Sequence, residues 1–112
     1  MAASLVEDRL KACLAACLAC ITACEACAYK CTAQSSELAD CTRACLDCAA
    51  VCTLCTTLMA RGSQFASAVC ELCAQVCAVC ADECGQHDDP FCRECADACR
   101  QCAEACRASV AA

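Results

Sequence analysis

Cysteine occupies a periodic set of positions along this chain. Within each of four groups it recurs at intervals that alternate between four and three residues, and alanine or polar residues fill most of the positions between. A mean interval of 3.5 residues is typical of a helix face packed in a bundle, whereas a strand face repeats every second residue. The pattern therefore predicts helices with a cysteine-lined inner face. The four groups are Cys13, Cys17, Cys20, Cys24, Cys27 and Cys31; Cys41, Cys45, Cys48, Cys52 and Cys55; Cys70, Cys73, Cys77, Cys80 and Cys84; and Cys92, Cys95, Cys99, Cys102 and Cys106.

Capping signals between the groups predict where the helices begin and end. Ser4-Leu5-Val6-Glu7 has the form of a capping box. Ser36 and Ser63 are suitable N-caps for the second and third helices, and Gly85 suits the left-handed residue after the third. Asp89-Pro90 has the form of an N-cap followed by proline in the first helical position. We therefore predict helices over residues 5–33, 36–60, 64–84 and 90–108, in a single domain over residues 1–112.

Short connections between these helices predict an all-α fold, an antiparallel up-down-up-down four-helix bundle with a cysteine-lined core. When two neighbouring helices are antiparallel, the residue numbers of any two residues at the same height along the bundle axis add up to the same total. The cysteines of the second and third groups meet this condition from Cys55 with Cys70 to Cys41 with Cys84. The other neighbouring groups meet it within one residue. We therefore expect five layers of four cysteines, with Cys31 alone beyond them.

Composition places the function in the thiols. The chain has 21 cysteines in 112 residues, but only 18 leucine, isoleucine, valine and phenylalanine residues together, too few for an ordinary core. A net charge of −6 without a basic cluster argues against nucleic-acid or anionic-membrane partners. The first ten residues show no secretory signal, so we expect a cytoplasmic protein with reduced thiols. A single histidine cannot activate 21 thiols, and we predict no catalytic residues and no enzyme.

Thiols at this spacing favour a soft metal over disulfides. Residues three or four apart on a helix hold their Cβ atoms about 5–6 Å apart, whereas a disulfide needs about 3.5–4.5 Å. Thiolates select Cu(I) or zinc. Five tetrathiolate zinc sites would bury a charge of about −10 without an inward cation, whereas Cu(I) at one ion per thiolate is neutral. Storage of several Cu(I) ions by all 21 cysteines is therefore our prediction. A zinc or mixed-metal buffer and a thiol redox scavenger are the alternatives.

Residues beyond the cysteine groups predict the two ends and the outer surface of the bundle. Met59 is either part of an apolar plug at one end or a weak thioether ligand. His87, at the other end, is either a ligand that receives incoming Cu(I) or a solvated loop residue beside Asp88 and Asp89. Apolar residues also lie on the outer side of the first helix, which predicts packing on another copy of the chain in a homo-oligomer. These outer residues are Leu14, Leu18 and Ile21.

The spacing resembles that of a known family. Helical repeats of the form C-x₃-C-x₂-C, the stretch Cys80-Ala81-Asp82-Glu83-Cys84-Gly85-Gln86-His87 and the cysteine run from Cys92 to Cys106 are similar to the bacterial copper storage proteins. The resemblance covers essentially the whole chain. It implies a bundle whose lumen holds many Cu(I) ions, a tetrameric assembly and, for members without an export signal, a cytosolic location. Family members often carry several histidines at the bundle mouth, where this chain has His87 with Asp89 and Phe91.

Overall fold

The structure is a computed structural model that describes residues 7–34 and 36–111. In this part of the chain, four α-helices pack side by side in a rod with dimensions of 50 × 26 × 18 Å. Each helix contacts two neighbours, so that the four surround a common axis. The predicted all-α four-helix bundle is confirmed. The helices are α1 (Asp8–Gln34), α2 (Ala39–Arg61), α3 (Ala66–Cys84) and α4 (Pro90–Ala111).

The connection between α1 and α2 differs from the prediction. Ser36 was expected to cap α2, but Ser36–Leu38 forms a short 3₁₀ helix and α2 begins at Ala39. Leu38 holds the N-cap position without a side-chain hydrogen bond and is buried instead. Burial of an apolar side chain thus fixes this corner where a hydroxyl cap was expected. At the start of α1, Ser4, Leu5 and Val6 of the expected capping box lie outside the described residues.

The turn between α2 and α3 uses the glycine and serine there. Gly62 adopts a left-handed conformation with φ 66°, and its N–H donates to the carbonyls of Leu58 and Met59, which ends α2. The Ser63 hydroxyl accepts a hydrogen bond from the Phe65 N–H at 3.1 Å. Phe65, without a side-chain hydrogen bond, holds the N-cap position that was expected of Ser63. The helix therefore begins at Ala66, two residues later than the predicted start at residue 64.

Gly85 does not have the left-handed conformation expected of it. Its φ is −65° and its N–H continues the helical pattern to the Ala81 carbonyl at 2.8 Å. Close packing is the reason for glycine here. A Cβ atom would lie 2.9 Å from the Ala81 oxygen and 3.2 Å from Nη2 of Arg100. α4 then begins at Pro90, as the Asp89-Pro90 signal indicates, and extends to Ala111.

The core of the bundle consists almost entirely of cysteine and alanine. Among the residues whose burial is described, only Leu38, Met59 and Ser109 join these two residue types in the buried set. Two segments, Leu10–Gln34 and Ser36–Arg61, are long and apolar enough to pass a length-and-composition test for a membrane span. Cysteine contributes much of that hydropathy, and the cysteines of both segments face the bundle interior.

Candidate metal centre

The helical period places every cysteine on the inner side of the bundle. All 21 cysteines lie within the described residues and all are free thiols. Each is completely buried except Cys70, which is 2% exposed. The periodic pattern in the sequence therefore becomes one contiguous body of sulfur along the bundle axis.

Sulfur pairs between α2 and α3 match the predicted pairing at equal heights. The shortest joins Cys41 Sγ to Cys84 Sγ at 3.0 Å. The others span 3.4–3.9 Å between their Sγ atoms. They are Cys55–Cys70, Cys48–Cys77, Cys52–Cys73 and Cys45–Cys80.

The same regularity holds where α1 meets its two neighbours. Against α4, the Sγ–Sγ distances are 3.3 Å for Cys13–Cys106 and 3.6 Å for Cys17–Cys102. Three further pairs continue toward the opposite end of the bundle. They are Cys20–Cys99 and Cys24–Cys95 at 3.7 Å and Cys27–Cys92 at 4.0 Å. Against α2, Cys20–Cys48 is 3.6 Å and Cys27–Cys41 is 3.8 Å.

Contacts between successive heights join the layers into one column. From one end to the other, each layer has at least one sulfur within 4.0 Å of a sulfur in the next. Examples are Cys17–Cys106 at 3.9 Å, Cys52–Cys77 at 3.7 Å, Cys24–Cys99 at 3.7 Å, Cys45–Cys84 at 3.6 Å and Cys27–Cys31 at 3.9 Å. The last of these contacts attaches Cys31 to the column.

Groups of four sulfurs within 4.8 Å of one another show how the layers are arranged. Cys24, Cys45, Cys80 and Cys95 form one such group and correspond to a predicted layer. Other groups draw on two adjacent layers, such as Cys20, Cys24, Cys48 and Cys99. Separate flat layers were therefore too simple a prediction. The alternation of three- and four-residue steps staggers the sulfurs, so that one thiol belongs to more than one group.

The surroundings of the column hold no counter-charge. Ser109 is the only buried polar or charged residue in the described part of the chain, and its hydroxyl donates to the Cys106 carbonyl at 2.9 Å. Burial raises the pKa of the Cys31 thiol to about 12, with a further contribution from Cys27 and Cys41. Burial also raises the pKa of Cys70 and Cys92. Burial thus favours the protonated form of these three thiols, whose protons a bound metal would displace.

His87 and Met59 lie at opposite ends of the column. His87 follows Cys84 by three residues, and its Nε2 lies 3.1 Å from a carboxylate oxygen of Glu83. Its ring is 22% exposed, and Asp88 pairs with Arg93 instead. Glu83 was not expected at this site from the sequence, although it lies four residues before His87, a spacing that brings side chains together in helical turns. Met59, one turn beyond Cys55, is only 1% exposed.

A sequence model of a protein family described as "Csp: Copper storage protein" matches residues 6–111. The chain belongs to the copper storage protein family. The resemblance seen in the cysteine spacing is thereby confirmed. A comparison with curated protein sequences gives no match.

Solved structures of copper storage proteins are similar to this chain over nearly its whole length. The Cu(I)-bound copper storage protein BsCsp3 of Bacillus subtilis has 40% sequence identity and a TM-score of 0.89, covering 92% of this chain and 99% of that one. A cytosolic copper storage protein from Streptomyces lividans, described with five coppers, has 38% identity and a TM-score of 0.90, covering 94% of each chain. A Streptomyces lividans structure loaded with 10 copper equivalents has the same identity and TM-score, covering 99% of this chain and 92% of that one.

Proposed function

We propose that this protein stores and buffers several Cu(I) ions on its core thiolates in the cytoplasm, without catalysis. The observation that carries the proposal is the continuous column of 21 buried, free thiols, in which successive layers approach within 4.0 Å. We assign all 21 cysteines as ligands. The relatives support this assignment, since one is described as Cu(I)-bound and the Streptomyces lividans protein as cytosolic.

The sulfur spacing suits soft metal ions. A metal–thiolate bond is about 2.3 Å, so sulfurs lie about 4.0 Å apart around a three-coordinate ion and about 4.6 Å apart across a linear one. Cross-helix pairs of 3.0–4.0 Å and groups of four within 4.8 Å need only small side-chain rotations to reach these values. Each sulfur has several sulfur neighbours, which allows bridging between adjacent ions.

Charge favours Cu(I) over zinc in this column. A zinc ion with four thiolates carries a net charge of about −2, and the described core holds no lysine, arginine or histidine to balance it. One Cu(I) per thiolate leaves the column neutral. Because 20 of the thiols are completely buried and Cys70 is only 2% exposed, the thiols as a set lack the solvent exposure that a redox scavenger needs. Zinc remains the rival to test directly.

Paired anaerobic titrations with Cu(I) and Zn(II), each against a competing chelator of known affinity, test the proposal. We expect a Cu(I) endpoint approaching the 21 cysteines, with much weaker zinc binding. A zinc endpoint near five ions at comparable affinity would favour zinc storage. Binding of neither metal would refute storage altogether.

His87 is our candidate for the ligand that receives Cu(I) at the mouth near Cys31. Imidazole is a good ligand for copper, and a carboxylate partner on the second ring nitrogen fixes the orientation of a ligating histidine. Glu83 occupies that partner position at 3.1 Å. Rotation of the ring is then restricted, so that the free nitrogen is available to the ion.

We propose a homo-oligomer from the outer surfaces of α1 and α2, and the resemblance to the copper storage proteins implies that it is a tetramer. Large apolar side chains are exposed there: Leu18 by 53%, Tyr29 by 78% and Leu46 by 51%. Leu14 and Ile21, the other members of the predicted stripe, are partly buried against the core. The apolar residues that remain exposed would be covered by a second copy of the chain.

A further inference from the structure

Within residues 7–34 and 36–111, the end of the bundle opposite His87 is not closed on every side. Met59 covers the column there from α2. Beside it, a pocket of about 120 Å³ lies between the start of α1, the turn into α3 and the end of α4. Its lining includes Cys70, which is the one cysteine with any exposed surface. The terminal thiol of the column therefore lies next to space that opens to the outside.

The lining of this pocket is partly polar, in contrast to the alanine and cysteine of the core. Three serine hydroxyls and one carboxylate line it, together with small apolar residues. They are Ser63, Ser67, Ser109 and Glu7. Such a pocket has room for several water molecules and enough polar partners to hold them. Water and small polar solutes can therefore approach Cys70 without a rearrangement of the helices.

Cys70 is connected to the rest of the sulfur column. Its Sγ lies 3.4 Å from Cys55 Sγ, and Cys55 belongs to a group of four with Cys13, Cys17 and Cys106. An ion held at Cys70 and Cys55 can therefore pass inward by exchanging one thiolate for the next. The same path in reverse brings an ion from the column to the pocket.

Exchange of Cu(I) between thiolates requires the incoming sulfur to reach the bound ion before the outgoing sulfur leaves. The incoming donor must therefore fit beside the terminal ligand. About 120 Å³ accommodates the CH₂–SH end of a low-molecular-weight thiol, but neither a folded carrier protein nor a bulky aromatic chelator. The size of the pocket thus favours a low-molecular-weight thiol as the molecule that exchanges Cu(I) with Cys70.

We propose that the pocket beside Cys70 is a second exchange port, at which small thiols deliver or remove Cu(I) at the end of the column opposite His87. The inference rests on the proposed storage function. It adds a route that is separate from the His87 mouth and selective for small donors. In removal, two incoming thiols lose their protons and form Cu–S bonds as thiolates, the Cu–S bonds to Cys70 and Cys55 break, and these two cysteines take up the protons. Delivery is the reverse, and copper stays as Cu(I) in both directions.

Ser67→Leu tests the port by filling it. Ser67 is exposed in the first turn of α3 and lines the pocket, so a leucine there narrows the pocket without touching a metal ligand. Ala68→Leu is the matched control, because Ala68 is the next residue, is also exposed and does not line the pocket. Each protein is first loaded anaerobically with Cu(I), and its capacity is measured. Its loss of copper is then followed with excess 2-mercaptoethanol and, separately, with a bulky bis-chelator.

We expect Ser67→Leu to slow removal by 2-mercaptoethanol about tenfold, which corresponds to about 1.4 kcal/mol in activation free energy. Capacity and removal by the bulky chelator should be unchanged, and Ala68→Leu should behave as the parent. An unchanged rate with 2-mercaptoethanol would overturn the port, and so would equal slowing with both agents. Failure of the parent protein to bind Cu(I) would instead refute the storage function itself.

Cys70→Ser provides a second measurement that does not depend on Ser67→Leu folding normally. It keeps the pocket open but removes the soft ligand at its base. Because Cys70 is itself one of the assigned ligands, we expect the variant to bind less Cu(I), and the readout is the ratio of the two removal rates. We expect removal by 2-mercaptoethanol to slow more than removal by the bulky chelator. An unchanged ratio would show that Cys70 is not the site of exchange.

Discussion

Replacement of Met59 tests whether this side chain covers the sulfur column from α2 at the end away from His87, beside the pocket at Cys70. Met59 is 1% exposed and is the largest of the completely buried side chains. It lies one turn beyond Cys55, in a core with few other aliphatic groups. Met59→Ala would leave a void, and such changes cost about 2–5 kcal/mol, whereas the volume-conserving Met59→Leu usually costs less than about 1.5 kcal/mol. A domain of this size loses about 4–8 °C in Tm per kcal/mol.

We therefore expect Met59→Ala to lower the Tm of the metal-free protein by about 10 °C or more, and Met59→Leu to lower it much less. Anaerobic melts followed by far-UV circular dichroism, with a reductant present, measure both. A Met59→Ala protein that melts within about 2 °C of the parent would refute the plug. Copper titration of Met59→Leu tests the thioether alternative. A plug predicts an unchanged endpoint, whereas loss of one ion would identify Met59 as a ligand.

Further predictions concern metal, pH, the mouth and assembly. Cu(I) loading should raise the Tm by about 15 °C or more, because a ligand at a concentration about a thousand times its Kd adds about 4 kcal/mol to the free energy of unfolding. An unchanged Tm would contradict binding to the folded core. Because burial raises the pKa of Cys31 from 9.0 to about 12, the contribution of this thiol to the stability of the metal-free protein should be complete below pH 9 and lost as the pH rises toward 12. Urea unfolding at several pH values in this range measures the loss of stability. Cys31→Ala is the control and should show a smaller decline. His87→Ala should slow Cu(I) loading in stopped-flow measurements without changing capacity, and an unchanged rate would refute its role at the mouth. Leu18→Lys should weaken a tetramer in analytical ultracentrifugation, and a parent protein that sediments as a monomer would contradict the proposed interface.

The sequence predicted those features that follow from helical periodicity alone. Cysteines at strictly alternating intervals of four and three residues all lie on one face of their helix, which must face the core. Contacts such as that of Cys48 with Cys77 then follow from the residue numbers of two antiparallel helices. Features that depend on packing between helices were harder to predict from the sequence. Ser36 resembles an N-cap, but burial of Leu38 moves the start of α2 to Ala39. Gly85 resembles a left-handed helix end, but the closeness of the Ala81 oxygen, with Arg100 of α4 beside it, accounts for the glycine.

For the metal site too, the features that follow from helical periodicity could be predicted, and those that depend on packing in three dimensions could not. All 21 cysteines could be assigned to the core from their spacing. The stagger that joins their layers, as in the group of Cys20, Cys24, Cys48 and Cys99, depends on side-chain directions that numbering does not contain. The pocket beside Cys70 could also not be predicted from the sequence, because its lining comes from three separate stretches of the chain. One of its residues, Ser109, is surrounded by alanine and valine in sequence and gave no signal.

X-ray absorption at the copper edge of the fully loaded protein tests the central claim most directly, since it reports the atoms around each ion. A column of Cu(I) on bridging thiolates predicts a reduced copper edge, sulfur as the dominant nearest neighbour at about 2.3 Å, and a second shell of copper atoms from adjacent ions. Mostly nitrogen or oxygen neighbours would place the copper outside the core. Sulfur neighbours without any copper–copper distance at full loading would contradict a continuous column.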